Sequence, residues 1–166
     1  QLRQLGVTSY IYQHREYARS TYTDWLGRGA QTMPYMTLPE ALVGIRQQLA
    51  KAKTPTYFYL YFDKIDALGH EYGPDSPEMD AEIETFLFCM ERALMQPLLG
   101  KAKNVLLLLT ADHGQIETNP KTAIYLNQEE RFKDLLRYLR TNHNGDILVP
   151  GGSPRDMFLY VRDEYL

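Results

Sequence analysis

Thr56-Tyr-Phe-Tyr-Leu-Tyr-Phe62 runs straight into Asp63-Lys-Ile-Asp-Ala-Leu-Gly-His-Glu-Tyr-Gly-Pro74. The first run is aromatic and does not alternate strictly with polar residues, so it predicts a strand buried on both faces. The second run is polar. Asp66 and His70 flank a glycine in the pattern Asp-x-x-Gly-His, and Gly73-Pro74 closes the turn.

Downstream, Ser76 and Pro77 are a helix cap and a first-turn proline. Met79, Ile83, Phe86, Leu87, Met90 and Leu94 then make an apolar stripe that Pro97 and Gly100 end. The next apolar run, Val105-Leu-Leu-Leu-Leu109, is short and bounded by polar residues, which favours a central strand. It leads into Thr110-Ala-Asp-His-Gly-Gln115, a second acid and histidine pair. Strand, helix, strand implies a crossover with parallel strands. Parallel strands end at one edge of the sheet, where ligands of open α/β sheets bind. Asp66 and His70 are thus expected beside Asp112 and His113.

Upstream, Gly6 to Tyr12 is β-branched and aromatic and predicts a strand. Residues 13–36 are polar and aromatic with Gly27, Gly29 and Pro34, and predict mainly loop with a short helix around Tyr22 to Leu26. Thr37-Leu-Pro-Glu40 fits a capping box, opening a helix with Leu38, Leu42, Ile45 and Leu49 on one face. That helix should stop near Lys53, before Pro55. Towards the end, Glu129 to Arg140 predicts an amphipathic helix with Phe132, Leu135, Leu136 and Leu139 inward. Met157 to Val161 predicts a last strand. No repeat, low-complexity tract or linker is visible, so one α/β domain over residues 1–166 is expected.

The 166 residues suffice for a real core, and 44% apolar with 23% charged content is ordinary for a globular protein. A net charge of -3 gives no reason to expect a nucleic-acid polymer or an anionic membrane as partner. No apolar run approaches the roughly 18 residues of a membrane span. Cys89 is the single cysteine, so no internal disulfide can form and the compartment stays open.

Carboxylate and neutral imidazole are the donors that zinc takes in mixed oxygen and nitrogen sites, and manganese accepts them too. Singly, Asp66 reads as a turn-capping aspartate and His70 as a surface histidine. Together with Asp112 and His113 at one sheet edge, the four read as metal ligands. Asp63 competes as a ligand or as a residue that orients one. His143 is a polar loop residue, and Trp25 is a packing residue.

At these residues the chain resembles the type I phosphodiesterase/nucleotide pyrophosphatase branch of the alkaline phosphatase superfamily. Asp66 to His70 with Gly73-Pro74 resembles its Asp-x-x-Gly-His-x-x-Gly-Pro motif, and Ala111 to Gly114 its Ser-Asp-His-Gly motif. The resemblance is specific over Tyr57 to Gln115 and extends more weakly to the Gly152 to Asp156 stretch. It implies that Asp66 and His70 bind one zinc, and Asp112 and His113 another. Ile65 replaces a proline common before the motif aspartate, and Ala111 and Gln115 replace the usual serine and methionine. The family's first metal-binding aspartate, its Thr or Ser nucleophile and its last metal-binding histidine have no match here. The resemblance therefore implies an internal piece of a larger catalytic domain, and the start at Gln1 agrees with that. Sulfatases of the superfamily need a Cys-x-Pro-x-Arg context, and Cys89 in Phe-Cys-Met-Glu-Arg does not supply it.

The resulting expectation is a three-layer α/β fold with a mainly parallel sheet flanked by helices, part of an alkaline phosphatase-like core. It would serve a two-metal hydrolase of phosphate diesters or nucleotide pyrophosphates. Partners are a small phosphate-ester substrate and the rest of the parent domain, and the isolated chain is expected to be inactive. The alternatives are a catalytically dead binding or scaffolding module, or a phosphomonoesterase, mutase or sulfatase activity.

Overall fold

The computed structural model describes residues 1–153 and 156–166, so Pro154 and Arg155 of the weaker C-terminal match lie outside the described residues. The chain separates into two compact units, Gln1–Glu117 and Thr118–Leu166.

The first unit is built on a parallel sheet in the order β2-β1-β3, with β1 Thr8–His14, β2 Gln31–Tyr35 and β3 Thr56–Leu60. Tyr10 lies opposite Gln31 on one side and Phe58 on the other, and Tyr61 N extends the second ladder by donating to Tyr12 O. Parallel neighbours need crossovers. Helix α1, Thr21–Leu26, makes the first, and α2, Leu38–Lys51, makes the second. Ser20 caps α1 through Thr23 N. Thr37 and Glu40 form the expected capping box on α2.

One face of the sheet carries the core. Tyr12, Tyr35, Leu38, Ala41, Leu42, Ile45, Phe86, Met90 and Leu94 form a continuous buried cluster, with Tyr10, Met33, Phe58 and Leu60 packed against it. Gly44 permits the close approach of α2 to the sheet, because a Cβ there would lie 3.1 Å from Tyr12 Cε1. On the opposite face α1 reaches β1, where Thr23 Oγ1 donates to Gln13 Oε1. The sheet is thus flanked by helices on both sides, as expected.

Beyond β3 come α3, Lys64–Tyr72, and α4, Pro77–Cys89. Ser76 joins them: its hydroxyl accepts from Met79 N and donates to Gly73 O. The chain continues from α4 into a π-helical stretch, Met90–Met95, and a closing turn α5, Gln96–Leu98, so the apolar stripe buries Phe86, Met90 and Leu94 while Leu87 stays exposed.

Several expectations need correction. The stretch 13–36 holds a strand, β2, which its glycines and Pro34 concealed. Strand β3 lies at a sheet edge rather than buried on both faces. Phe58 and Leu60 turn inward while Tyr57 and Tyr59 are exposed. Tyrosine suits that place because its ring packs and its hydroxyl stays wet. The motif stretch around Asp66 and His70 is helical, not a turn. Val105–Leu109 is neither central nor a strand, and all five side chains are exposed, Leu106 at 79%. Leucine is a weak strand former, and a strand exists only by pairing; among the described residues no strand pairs with this run.

In the second unit, Glu129 to Arg140 is not a continuous helix. It forms two 3-10 turns, Glu130–Phe132 and Leu135–Tyr138. Phe132, Leu135 and Tyr138 recur every third residue and are the half-buried ones, which is the 3-10 period and not the α-helical one. Leu139 is fully buried. The predicted last strand is shorter: β4, Gly151–Gly152, pairs antiparallel with β5, Met157–Phe158, and Val161 forms an isolated bridge with Leu139. Arg140 Nε donates to Val161 O and Arg162 Nε to Leu139 O. Among the described residues no helix is long and apolar enough to cross a membrane.

The first unit's core can be tested at two side chains. Leu42 is 0% exposed, so Leu42→Ala should destabilise the chain by about 2–5 kcal/mol in urea unfolding. Tyr35 donates to Tyr61 O at 2.7 Å, and burial, with Asp63 and Tyr61 adding to it, pushes its pKa up to about 12 from 10.0. A raised folded-state value means that stability held below pH 10.0 is lost as pH rises towards 12. Tyr35→Phe should flatten that alkaline slope and remove the tyrosine titrating near pH 12 from the phenolate absorbance curve.

Candidate metal centre

Three parallel strands end at one edge, and β3 passes through Tyr61 and Phe62 into α3 there. Asp66 sits in the first turn of α3 and His70 one turn later, so the helix places both on one side. His70 Nε2 lies 3.4 Å from Asp66 Oδ1. The loop after Leu109 returns to the same place, where His113 Nε2 lies 3.7 Å from Asp66 Oδ1 and 3.8 Å from Asp112 Oδ2. The two sequence clusters therefore meet, although the strand expected to carry the second is not formed. Their convergence is around a single oxygen, Asp66 Oδ1, rather than in two separate pairs.

The loop is shaped locally. Asp112 Oδ1 accepts from His113 N at 3.1 Å, and His113 Nδ1 stands 3.1 Å from Gly114 O. A carbonyl oxygen only accepts, so this contact places the imidazole proton on Nδ1. In the neutral ring, Nε2 then turns a lone pair towards two carboxylates. Facing lone pairs repel unless a cation stands between them. The carboxylates also act on Tyr61, whose pKa is raised by burial first and then by Asp112, Asp63 and Asp66 in turn. Negative charge is thus gathered at this edge.

The donor types fit a zinc or manganese ion. Ligand atoms about 2.0–2.1 Å from a tetrahedral zinc stand about 3.4 Å apart, which is the spacing of Asp66 Oδ1 from His70 Nε2. Yet among the described residues no three His, Cys, Asp or Glu side chains are arranged to hold a metal ion. The Asp112 side chain is 80% exposed and closes nothing on its outer side.

Asp63 is engaged elsewhere. Its carboxylate is largely buried, lies 3.3 Å from Lys64 Nζ and accepts from the Tyr17 hydroxyl, whose pKa it raises. His143 is exposed in the Asn142–Asp146 turn of the second unit, where Asn142 Oδ1 accepts from Asn144 N and Asp146 N. Trp25 is 65% exposed on α1 and so does not have the packing role expected of it.

Sequence reasoning passed over Gln115 as a mild replacement. Its Nε2 donates to Asp66 Oδ1 at 2.8 Å and to Asp66 O at 3.1 Å. The signal for it was a polar amide, two residues after His113, where the motif usually carries methionine.

The type I phosphodiesterase/nucleotide pyrophosphatase family matches residues 8–164 of the chain. Human ectonucleotide pyrophosphatase/phosphodiesterase family member 1 is 35% identical over 83 residues, 49% of this chain and 9% of that protein. Venom phosphodiesterase CdcPDE of Crotalus durissus collilineatus is 41% identical over 73 residues, 42% of this chain and 8% of that protein. Bis(5'-adenosyl)-triphosphatase ENPP4 of Pongo abelii is 30% identical over 95 residues, 55% of this chain and 21% of that protein. The chain thus covers a small part of each of these relatives. No solved structure gives a significant match. With a family match that runs through both motif clusters and nearly the whole length, the chain belongs to the type I phosphodiesterase/nucleotide pyrophosphatase family.

Proposed function

We propose that this chain carries part of the metal centre of a hydrolase acting on phosphate diesters or nucleotide pyrophosphates. The observation that carries the reading is the approach of His70 and His113 to one oxygen of Asp66, from a helix and from a loop far apart in sequence. The names of the relatives, a nucleotide pyrophosphatase/phosphodiesterase, a venom phosphodiesterase and a bis-adenosyl triphosphatase, all denote cleavage of a phosphorus–oxygen bond.

Asp66 and His70 would hold one divalent ion, and Asp112 and His113 a second, with zinc the first choice and manganese the next. When bound, such ions polarise a phosphoryl oxygen and stabilise attacking and leaving oxygens. The chain's own part is to fix donors. Helix α3 holds Asp66 and His70 one turn apart, and the Gly114 carbonyl keeps the His113 proton on Nδ1 so that Nε2 is free to ligate. Four protein donors shared between two ions leave each short of the usual four, and no motif in the chain supplies a hydroxyl nucleophile. The remaining donors and the nucleophile belong to the rest of a parent catalytic domain, and the isolated chain should be inert.

Zinc titration by calorimetry tests this. The chain should bind zinc weakly, and Asp66→Asn or His113→Ala should weaken it by more than about tenfold, or ~1.4 kcal/mol. Unchanged affinity in both variants would remove the metal reading and favour a binding or scaffolding module. Hydrolysis of a chromogenic phosphodiester should be absent in the chain alone. Turnover by the chain that His113→Ala abolishes would place the nucleophile within these residues.

A further inference from the structure

The segment that carries Asp112 and His113 has no regular secondary structure, so something else must hold it against α3. Among the described residues, the hydrogen bonds that residues 110–117 make to the rest of the first unit are the two from Gln115 Nε2 to Asp66. Both acceptors are oxygens, the main-chain carbonyl and Oδ1, so only the nitrogen of the Gln115 amide can face them. The amide oxygen must then turn the other way. Oε1 is buried there without a hydrogen-bond partner.

The place where it lies is a slot in α3. A Cβ built on Gly69 would stand 1.7 Å from Gln115 Oε1 and 2.7 Å from its Cδ. Any side chain at residue 69 would therefore expel the amide. Gly69 is helical and has no positive φ, so backbone conformation does not demand glycine here. The missing Cβ is what leaves room for the Gln115 amide. Slot and amide form one fitted contact, joining the Asp-x-x-Gly-His helix to the Asp-His-Gly-Gln loop.

We propose that Gln115 is a positioning residue: its amide, seated in the slot over Gly69, clamps the Asp112–His113 loop to α3 and sets His113 beside Asp66. The catalytic meaning of this clamp rests on the metal-centre reading of Asp66, His70, Asp112 and His113. Gln115 acts through those residues and also orients the Asp66 carboxylate by donating to Oδ1, leaving Oδ2 without that bond.

Two opposite changes should have the same effect. Gln115→Met keeps the length of the side chain and removes the donor. Gly69→Ala keeps the donor and fills the slot, while alanine favours the helix more than glycine does. In the metal-free chain, backbone amide order parameters over residues 111–115 should fall from the rigid range near ~0.85 towards less than about 0.6 in both variants. Zinc binding should weaken by about tenfold in both, with the thermal midpoint of Gln115→Met kept near that of the parent. Placing Gly69→Ala on a Gln115→Ala background should add no further loss, because nothing remains in the slot to expel.

Order parameters unchanged in Gln115→Met would overturn the proposal. So would a lowered midpoint with parental zinc affinity, which would make Gln115 structural only. Asp66→Asn separates the two claims. If it and His113→Ala both leave zinc binding intact, the metal reading fails, while the loop's order in the metal-free variants still decides the clamp.

Discussion

The parallel pairing of β1 with β2 on one side and β3 on the other is the constraint on which the rest depends. Parallel ladders send every strand's carboxyl end to one edge, so the residues after each strand emerge there. Between β3 and α3 the chain has only Tyr61, Phe62 and Asp63, so Asp66 cannot be far from that edge. The bond from the Tyr35 hydroxyl to Tyr61 O ties the end of β2 to the same connection. Burial of Tyr12, Tyr35, Leu38, Leu42 and Phe86 in one cluster keeps the sheet and its helices in register behind it.

Negative charge collects at the edge where the strands end. Asp63, Asp66 and Asp112 all act on Tyr61, and of the three only Asp63 has a nearby cationic partner in Lys64. Carboxylates gathered without compensation repel one another. His113 Nε2 faces the same carboxylates, 3.7 Å from Asp66 Oδ1 and 3.8 Å from Asp112 Oδ2. A divalent cation placed there would be attracted by these carboxylates. The Gln115 amide makes a smaller correction, since it brings a partial positive charge to Asp66 Oδ1 without a full one.

The meeting of the two motif clusters was more legible in the sequence than the sheet was. Asp66, His70, Asp112 and His113 stand in short motifs that the sequence displays whatever the strand assignment. Helix starts were legible for a similar reason: Thr37 and Ser76 cap by local bonds that the sequence displays. Strands depend on partners far away, which a local reading does not see. Thus β2 was hidden behind Pro34, and Val105–Leu109 promised a strand that no neighbour completes. The Glu129 to Arg140 stretch fits periods of 3.0 and 3.6 alike, and only packing around Phe132, Leu135 and Leu139 chose between them. Gln115 was missed because its role lies in a slot formed by a glycine on another element.

The central claim is that Asp66 Oδ1 is the oxygen on which helix and loop converge to hold a cation. Anomalous diffraction at the zinc edge, from crystals of this chain soaked in zinc, tests it most directly. The predicted result is a peak within about 2.0–2.1 Å of an Asp66 carboxylate oxygen and of His70 Nε2. Zinc bound only elsewhere, for instance on His143, with Asp66 still held by Gln115 alone, would contradict it.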